Sequence, residues 1–130
     1  MILFSIFKRK VNFADTDLAG IVHFSNVLRY VEEAEHAAML EVNVPPSNIM
    51  GGFPKVHVDC DYRAPLRFGD LAAVEMCLTA VGKCSLKWRF SVSVDKLIAA
   101  EGNFVTVYLN DRGESTSIPE EYRTALLEKI

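Results

Sequence analysis

Nowhere does the chain hold the roughly 20 consecutive apolar residues that cross a bilayer as a helix, which excludes a helical membrane span. Basic charge is also scarce: 14 Lys and Arg stand against 17 Asp and Glu, a formal net charge of -3. The phosphate-neutralising surface that nucleic-acid binding demands is therefore missing as a global property. Cysteines number only three, Cys60, Cys77 and Cys84, with no C-x-x-C pair, so neither a disulfide framework nor a zinc site is indicated. They read as small buried hydrophobes in reducing surroundings. Internal repeats, low-complexity tracts and linker-like stretches are absent. The apolar stretch from Met1 to Phe7 precedes Lys8-Arg9-Lys10, the reverse of a secretory signal, and is too short for one. The expectation is a soluble, cytoplasmic protein with neither membrane nor nucleic acid as partner.

What remains is a chain of 130 residues, half of them hydrophobic, long enough to bury a real core and too short for two domains. One domain is expected over 1–130. Phe4 to Phe13 alternates, with Phe7, Val11 and Phe13 on one parity and Lys8, Lys10 and Asn12 on the other, which predicts a strand. Asp15 to Gly20 breaks it. From Ser25, a plausible N-cap, the period becomes helical. Val27, Val31, Ala34, Ala38 and Val42 share a face opposite Arg29, Glu32, Glu33 and His36. Pro45-Pro46 forbids continuation, giving about four turns of largely buried helix.

Strands are predicted again where Val56, Val58, Cys60 and Tyr62 alternate with polar residues up to Pro65, then over Leu71–Val81, Ser85–Val94 and Ile98–Leu109. Gly82-Lys83 and Asp95-Lys96 supply the reversals, Asn110 to Ser117 a loop, and Pro119-Glu120-Glu121 opens a short terminal helix. The order strand, long helix, four strands in antiparallel succession describes an α+β domain whose sheet curls around one helix. Its open edges favour a homodimer that shares a continuous sheet.

The chemistry concentrates in Asp15-Thr16-Asp17-Leu18-Ala19-Gly20-Ile21-Val22-His23-Phe24-Ser25-Asn26, which leads the first strand into the helix. Unpaired amides at a helix start, with the positive end of the dipole behind them, polarise a carbonyl oxygen that develops negative charge. A carboxylate beside them attacks or activates water. The competing reading of D-x-D before a helix is an Asx turn or a cap.

This D-T-D-x-A-G-I-V-H-F-S-N string, the V-E-E-A-E of the helix, and Asp61-Tyr62-Arg63-Ala64-Pro65-Leu66-Arg67-Phe68-Gly69-Asp70 with its Y-x-x-P-x-R-x-G-D turn resemble the 4-hydroxybenzoyl-CoA thioesterase family of hot-dog proteins. The resemblance implies a five-stranded antiparallel sheet wrapped around one long helix. It also implies dimers with active sites at the subunit interface, often paired into tetramers, and hydrolysis of an acyl-CoA thioester without metal or bound cofactor. Asp17 matches the catalytic carboxylate, as nucleophile or general base, and Asp15 is left as a turn-forming or supporting acid. The amides of His23 and Phe24 fall where the thioester oxygen is held. The pair His23-Phe24 itself departs from the family, where an aromatic followed by Tyr, His or another aromatic is usual, and this puts the acyl-pocket lining and the part of His23 in question.

Val22 and Phe24 are candidates for the acyl pocket, with Phe53, Phe68 and Trp88 as faint hints of an aromatic acyl group. Ser25 and Asn26 are candidates to orient the loop or the acyl group, with helix capping as the alternative. Arg63 and Arg67, then Lys87 and Arg89, are candidate partners for CoA phosphates. Glu35, on the apolar side of the helix, and Glu32 are fallback acids, Glu35 more readily as the partner of an Arg across a dimer. A Cys60–His57 nucleophile is disfavoured because residues three apart on a strand point to opposite faces. A non-hydrolytic module that binds an acyl group on CoA or carrier protein stands as the alternative function.

Overall fold

The computed structural model describes residues 2–48 and 50–130. Five strands, β1 (Ser5–Lys10), β2 (Lys55–Tyr62), β3 (Leu71–Val81), β4 (Ser85–Val94) and β5 (Leu97–Val107), form one antiparallel sheet in the order β1-β3-β4-β5-β2. Helix α1 (Phe24–Glu41) packs on its inner face, and a short α2 (Glu120–Leu127) follows β5. This is the hot-dog fold. Alternation builds it: Val74, Met76 and Leu78 of β3, Leu86, Trp88, Phe90 and Val92 of β4, and Phe104 of β5 are buried against Tyr30, Val31, Ala34, Ala38 and Met39 of α1. Among the described residues no helix is long and apolar enough to cross a membrane.

Three details differ from the sequence expectation. First, β2 does not sit beside β3: it crosses to the far edge and pairs with β5, Asp59 opposite Asn103 and Cys60 opposite Gly102. Second, α1 is longer, five turns instead of four, and its cap is His23, with Ser25 already inside the first turn. Third, the prolines do not end α1. Asn43 takes a left-handed φ of 60°, its N–H donates to the Leu40 carbonyl at 3.1 Å, and the Val44 N–H reaches back to Met39 at 3.0 Å. That pair of bonds is a Schellman stop, and Pro45 merely follows it. The two-residue reversal at Asp95-Lys96, with φ of 50° and 68°, is the primed hairpin turn that matches strand twist.

Candidate active site

The two sequence motifs meet in space. The Val22 N–H donates to the Leu66 carbonyl at 2.8 Å, and Ile21 bridges Arg67. Each motif needs a glycine where it turns: Gly20 has φ +78° and Gly69 +88°, conformations costly for any side chain. Between the motifs opens a cavity of about 530 Å³, lined by Asp17, Val22, Phe24, Tyr62, Arg63, Ala64, Arg67 and Ala100 among others.

Asp17 sits exposed at the rim of this cavity. Its Oδ1 accepts the Ala19 N–H at 2.8 Å in an Asx turn, while Oδ2 accepts no bond among the described residues. The Asx turn thus uses one carboxylate oxygen of Asp17 and leaves the other unpaired among the described residues.

Of the two amides expected to face the substrate, one is occupied. The His23 N–H donates to the Asp15 carbonyl at 3.1 Å, whereas Phe24, the first residue of α1, has an N–H with no acceptor among the described residues. Phe24 lines the cavity and His23 does not, and the Phe24 amide stands at the positive end of α1. The His23 ring does not line the cavity: its Nδ1 accepts the Ser25 N–H at 3.3 Å and lies 2.7 Å from Ser25 Oγ.

Ser25 and Asn26 are also outside the cavity. Ser25 faces a separate groove between α1 and β2, and Asn26 Nδ2 donates to the Asp15 carbonyl at 3.0 Å. Neither side chain caps the helix: His23 holds that place, Ser25 lies in the first turn beside it, and Asn26 ties the Asp15 loop to the helix start. Trp88 and Phe53 lie in the core and Phe68 is exposed, none of them on the cavity wall. The lining instead includes residues that sequence reasoning did not single out. Ala64, Ala99 and Ala100 leave the room, and the Tyr62 hydroxyl donates to the Phe24 carbonyl at 3.1 Å. Burial and the neighbouring Cys60 thiol push the Tyr62 phenol up to about 12, so it stays a donor at neutral pH. Adjacent alanines in a strand facing a motif were the available signal.

Asp15, two residues before Asp17, lies off the cavity. It is buried, and its Oδ2 accepts the Tyr30 hydroxyl at 2.6 Å and the Asn12 N–H at 3.3 Å, with Arg9 at 3.4 Å. Burial opposes its ionisation, but the Tyr30 hydroxyl, the Asn12 amide and Arg9 outweigh it and hold the carboxyl below its ordinary value. Glu35 is fully buried, as its place on the apolar side implied, and it pairs with Lys55 of its own chain, not with an arginine. Neither Glu35 nor Glu32 reaches the Asp17 cavity. His57 lies 3.5 Å from Asp59, and burial raises the Cys60 thiol, so the cysteine alternative finds no geometry. Arg63 is held by Glu101 at 2.7 Å, and Arg89 by the same carboxylate at 2.8 Å. Arg67 has no carboxylate within ion-pair distance among the described residues. Also among the described residues, no three His, Cys, Asp or Glu side chains converge as a metal site.

Comparison with known proteins bears on the family and the fold. The sequence model of the thioesterase superfamily matches residues 19–98, more than half of the chain. A 1,4-dihydroxy-2-naphthoyl-CoA hydrolase of Trichodesmium erythraeum is 30% identical over 129 residues, covering 93% of this chain and 94% of that protein. Among solved structures, the gentisyl-coenzyme A thioesterase BH1999 superposes with a TM-score of 0.86 at 28% identity, covering 94% of this chain and 99% of that one. A Thermus thermophilus protein, TT1821, reaches 0.90 at 28% identity, covering 97% and 99%. The chain belongs to the thioesterase superfamily of hot-dog proteins. It is a thioester hydrolase.

Proposed function

We propose that the protein hydrolyses an acyl-CoA, with an aromatic acyl group as the first candidate, and that Asp17 and the Phe24 amide are the reacting pair. The observation that carries this reading is that Asp17, with one unpaired carboxylate oxygen, and Phe24, whose helix-start amide is unpaired, line one cavity. The thioester oxygen sits at the Phe24 N–H, where negative charge is stabilised as it forms. Asp17 either adds to the carbonyl carbon, giving a mixed anhydride that water then cleaves, or takes a proton from the attacking water. In both routes the carbon–sulfur bond breaks, CoA leaves as a thiolate that takes up a proton, and the free acid remains. No step needs a cofactor. The related proteins act, by their names, on dihydroxynaphthoyl and gentisyl thioesters, which supports ring-bearing acyl groups as a class and not 4-hydroxybenzoyl in particular.

Hydrolysis in the cytoplasm by a single 1–130 domain, assembled at least as a homodimer, completes the proposal. Edge strand β2 leaves Val56, Val58 and Tyr62 exposed, and Tyr62 lines the cavity. A second copy pairing along β2 covers them and closes the site, and two such dimers make the tetramer. The test is thiol release from aromatic and aliphatic acyl-CoAs by the protein and its Asp17→Asn variant, with light scattering for mass. Turnover of one acyl class, reduced about 100-fold or more in the variant, is expected. Binding of acyl-CoA without any turnover would favour the non-hydrolytic module.

A further inference from the structure

Two positions before Asp17, Asp15 joins the catalytic loop to the helix start through both its side chain and its main chain. Its carbonyl accepts the His23 N–H at 3.1 Å and Asn26 Nδ2 at 3.0 Å. Its carboxylate accepts the hydroxyl of Tyr30, itself fully buried in α1, at 2.6 Å. Arg9 closes the network from β1: its guanidinium lies 4.6 Å from the Tyr30 ring centre and donates to Glu33 at 2.7 Å. None of these side chains lines the cavity.

Resting on the hydrolase reading above, we infer that Asp15 is a positioning residue of the reaction, fixing the Asp17 carboxylate against the Phe24 amide by tying their loop to Tyr30 and His23. The tie has two effects. By taking the His23 amide it leaves Phe24 as the free donor. By anchoring the 3-10 turn Phe13–Asp15 to a buried phenol, it sets where the chain leaves for Asp17. Preorganisation of this kind acts on the transition state more than on substrate binding, since neither Asp15 nor Tyr30 lines the cavity. The depressed carboxyl of Asp15 keeps it an acceptor throughout the neutral range.

The experiment is steady-state hydrolysis by wild type, Asp17→Asn, Asp15→Asn, Tyr30→Phe, the Asp15→Asn/Tyr30→Phe double variant and Asn26→Ala, each shown by urea titration to be folded at the assay temperature. A misplacement of about 1 Å costs on the order of 100-fold, so kcat is expected to fall about 10-fold in Tyr30→Phe and about 100-fold in Asp15→Asn, with KM within about twofold. The double variant is expected to be no slower than Asp15→Asn, because both act through one bond. Should Tyr30→Phe fail to fold, Asn26→Ala removes the outer tie and is read for the same split. Folded variants with wild-type kcat, or losses that appear in KM, overturn the positioning role while an inert Asp17→Asn leaves the hydrolase reading standing. Turnover that survives in Asp17→Asn overturns the Asp17 reading and the role of Asp15 with it.

Discussion

Lys55, at the start of β2, reaches the carboxylate of Glu35 on α1, a side chain 1% exposed, and makes an ion pair with it. Burial raises the Glu35 carboxyl above its ordinary 4.5, and the attraction of Lys55 only partly offsets this. The native state therefore holds the proton more tightly than the unfolded chain. Its contribution to stability is full below 4.5 and is lost as pH rises through the folded value.

Replacing Lys55 by Met leaves Glu35 buried without its cation, which costs about 3 kcal/mol at pH 7. The cost is smaller at pH 5, because burial makes the native carboxyl bind a proton more readily than the unfolded chain does. Urea unfolding of Lys55→Met and wild type at both pH values checks this, and an equal loss at the two would refute it.

Most of the fold was legible in the sequence because period-2 and period-3.6 patterns dictate which face is buried. Leu71–Val81 and Ser85–Val94 have the observed bounds of β3 and β4. The partner of β2 was not legible, since a strand exposed on both faces gives its pattern no direction, and sequence succession suggested β3. At the site, the helix start and the two motifs were visible. The occupation of the His23 amide was not, because it depends on a carbonyl eight residues earlier folding back through the Tyr30 bond. Ser25 was read as the cap from residue preference, whereas the His23 imidazole does that work here.

Two glycines separate strain from collision. At Gly20 an added Cβ meets nothing within 4 Å, so Gly20→Ala carries only the left-handed backbone cost of about 1 kcal/mol. At Gly102 it meets the main chain of Asp59 across the β2–β5 pairing, which no rotamer relieves. Gly102→Ala is expected to cost about 3 kcal/mol or more and to free β2. Urea midpoints together with amide exchange across 55–62 report both effects, and a milder loss at Gly102 than at Gly20 would contradict the assignment.

Room in the cavity is set by small side chains. Ala64 is only half-buried, so Ala64→Leu narrows the acyl site without overfilling the core. The expected result is a fall of about 10-fold or more in kcat/KM for ring-bearing acyl-CoAs, with acetyl-CoA turnover altered by less than about twofold. Parallel assays of the two thioesters decide it. Equal losses on both would mean that Ala64 does not face the acyl group.

The two arginines of the second motif are predicted to differ in their use of CoA. Arg63 is held by Glu101 at 2.7 Å and must give up that bond to meet a phosphate, whereas the exposed Arg67 has no such partner among the described residues. A free guanidinium at the cavity mouth offers a bidentate site for phosphate, and the charge-assisted bonds it forms contribute about 1.5–3 kcal/mol. Arg67→Ala is therefore expected to raise KM by about 10-fold or more with kcat little changed, the signature of lost uniform binding. Arg63→Ala is expected to raise it by less than about threefold and, by releasing Glu101, to leave Arg89 as that carboxylate's remaining cation. Repeating both titrations with a truncated thioester that carries the pantetheine arm but no nucleotide separates phosphate binding from damage to the loop. The Arg67 effect vanishes with the truncated substrate if the phosphates are its target, and persists if Arg67 acts only by shaping the turn.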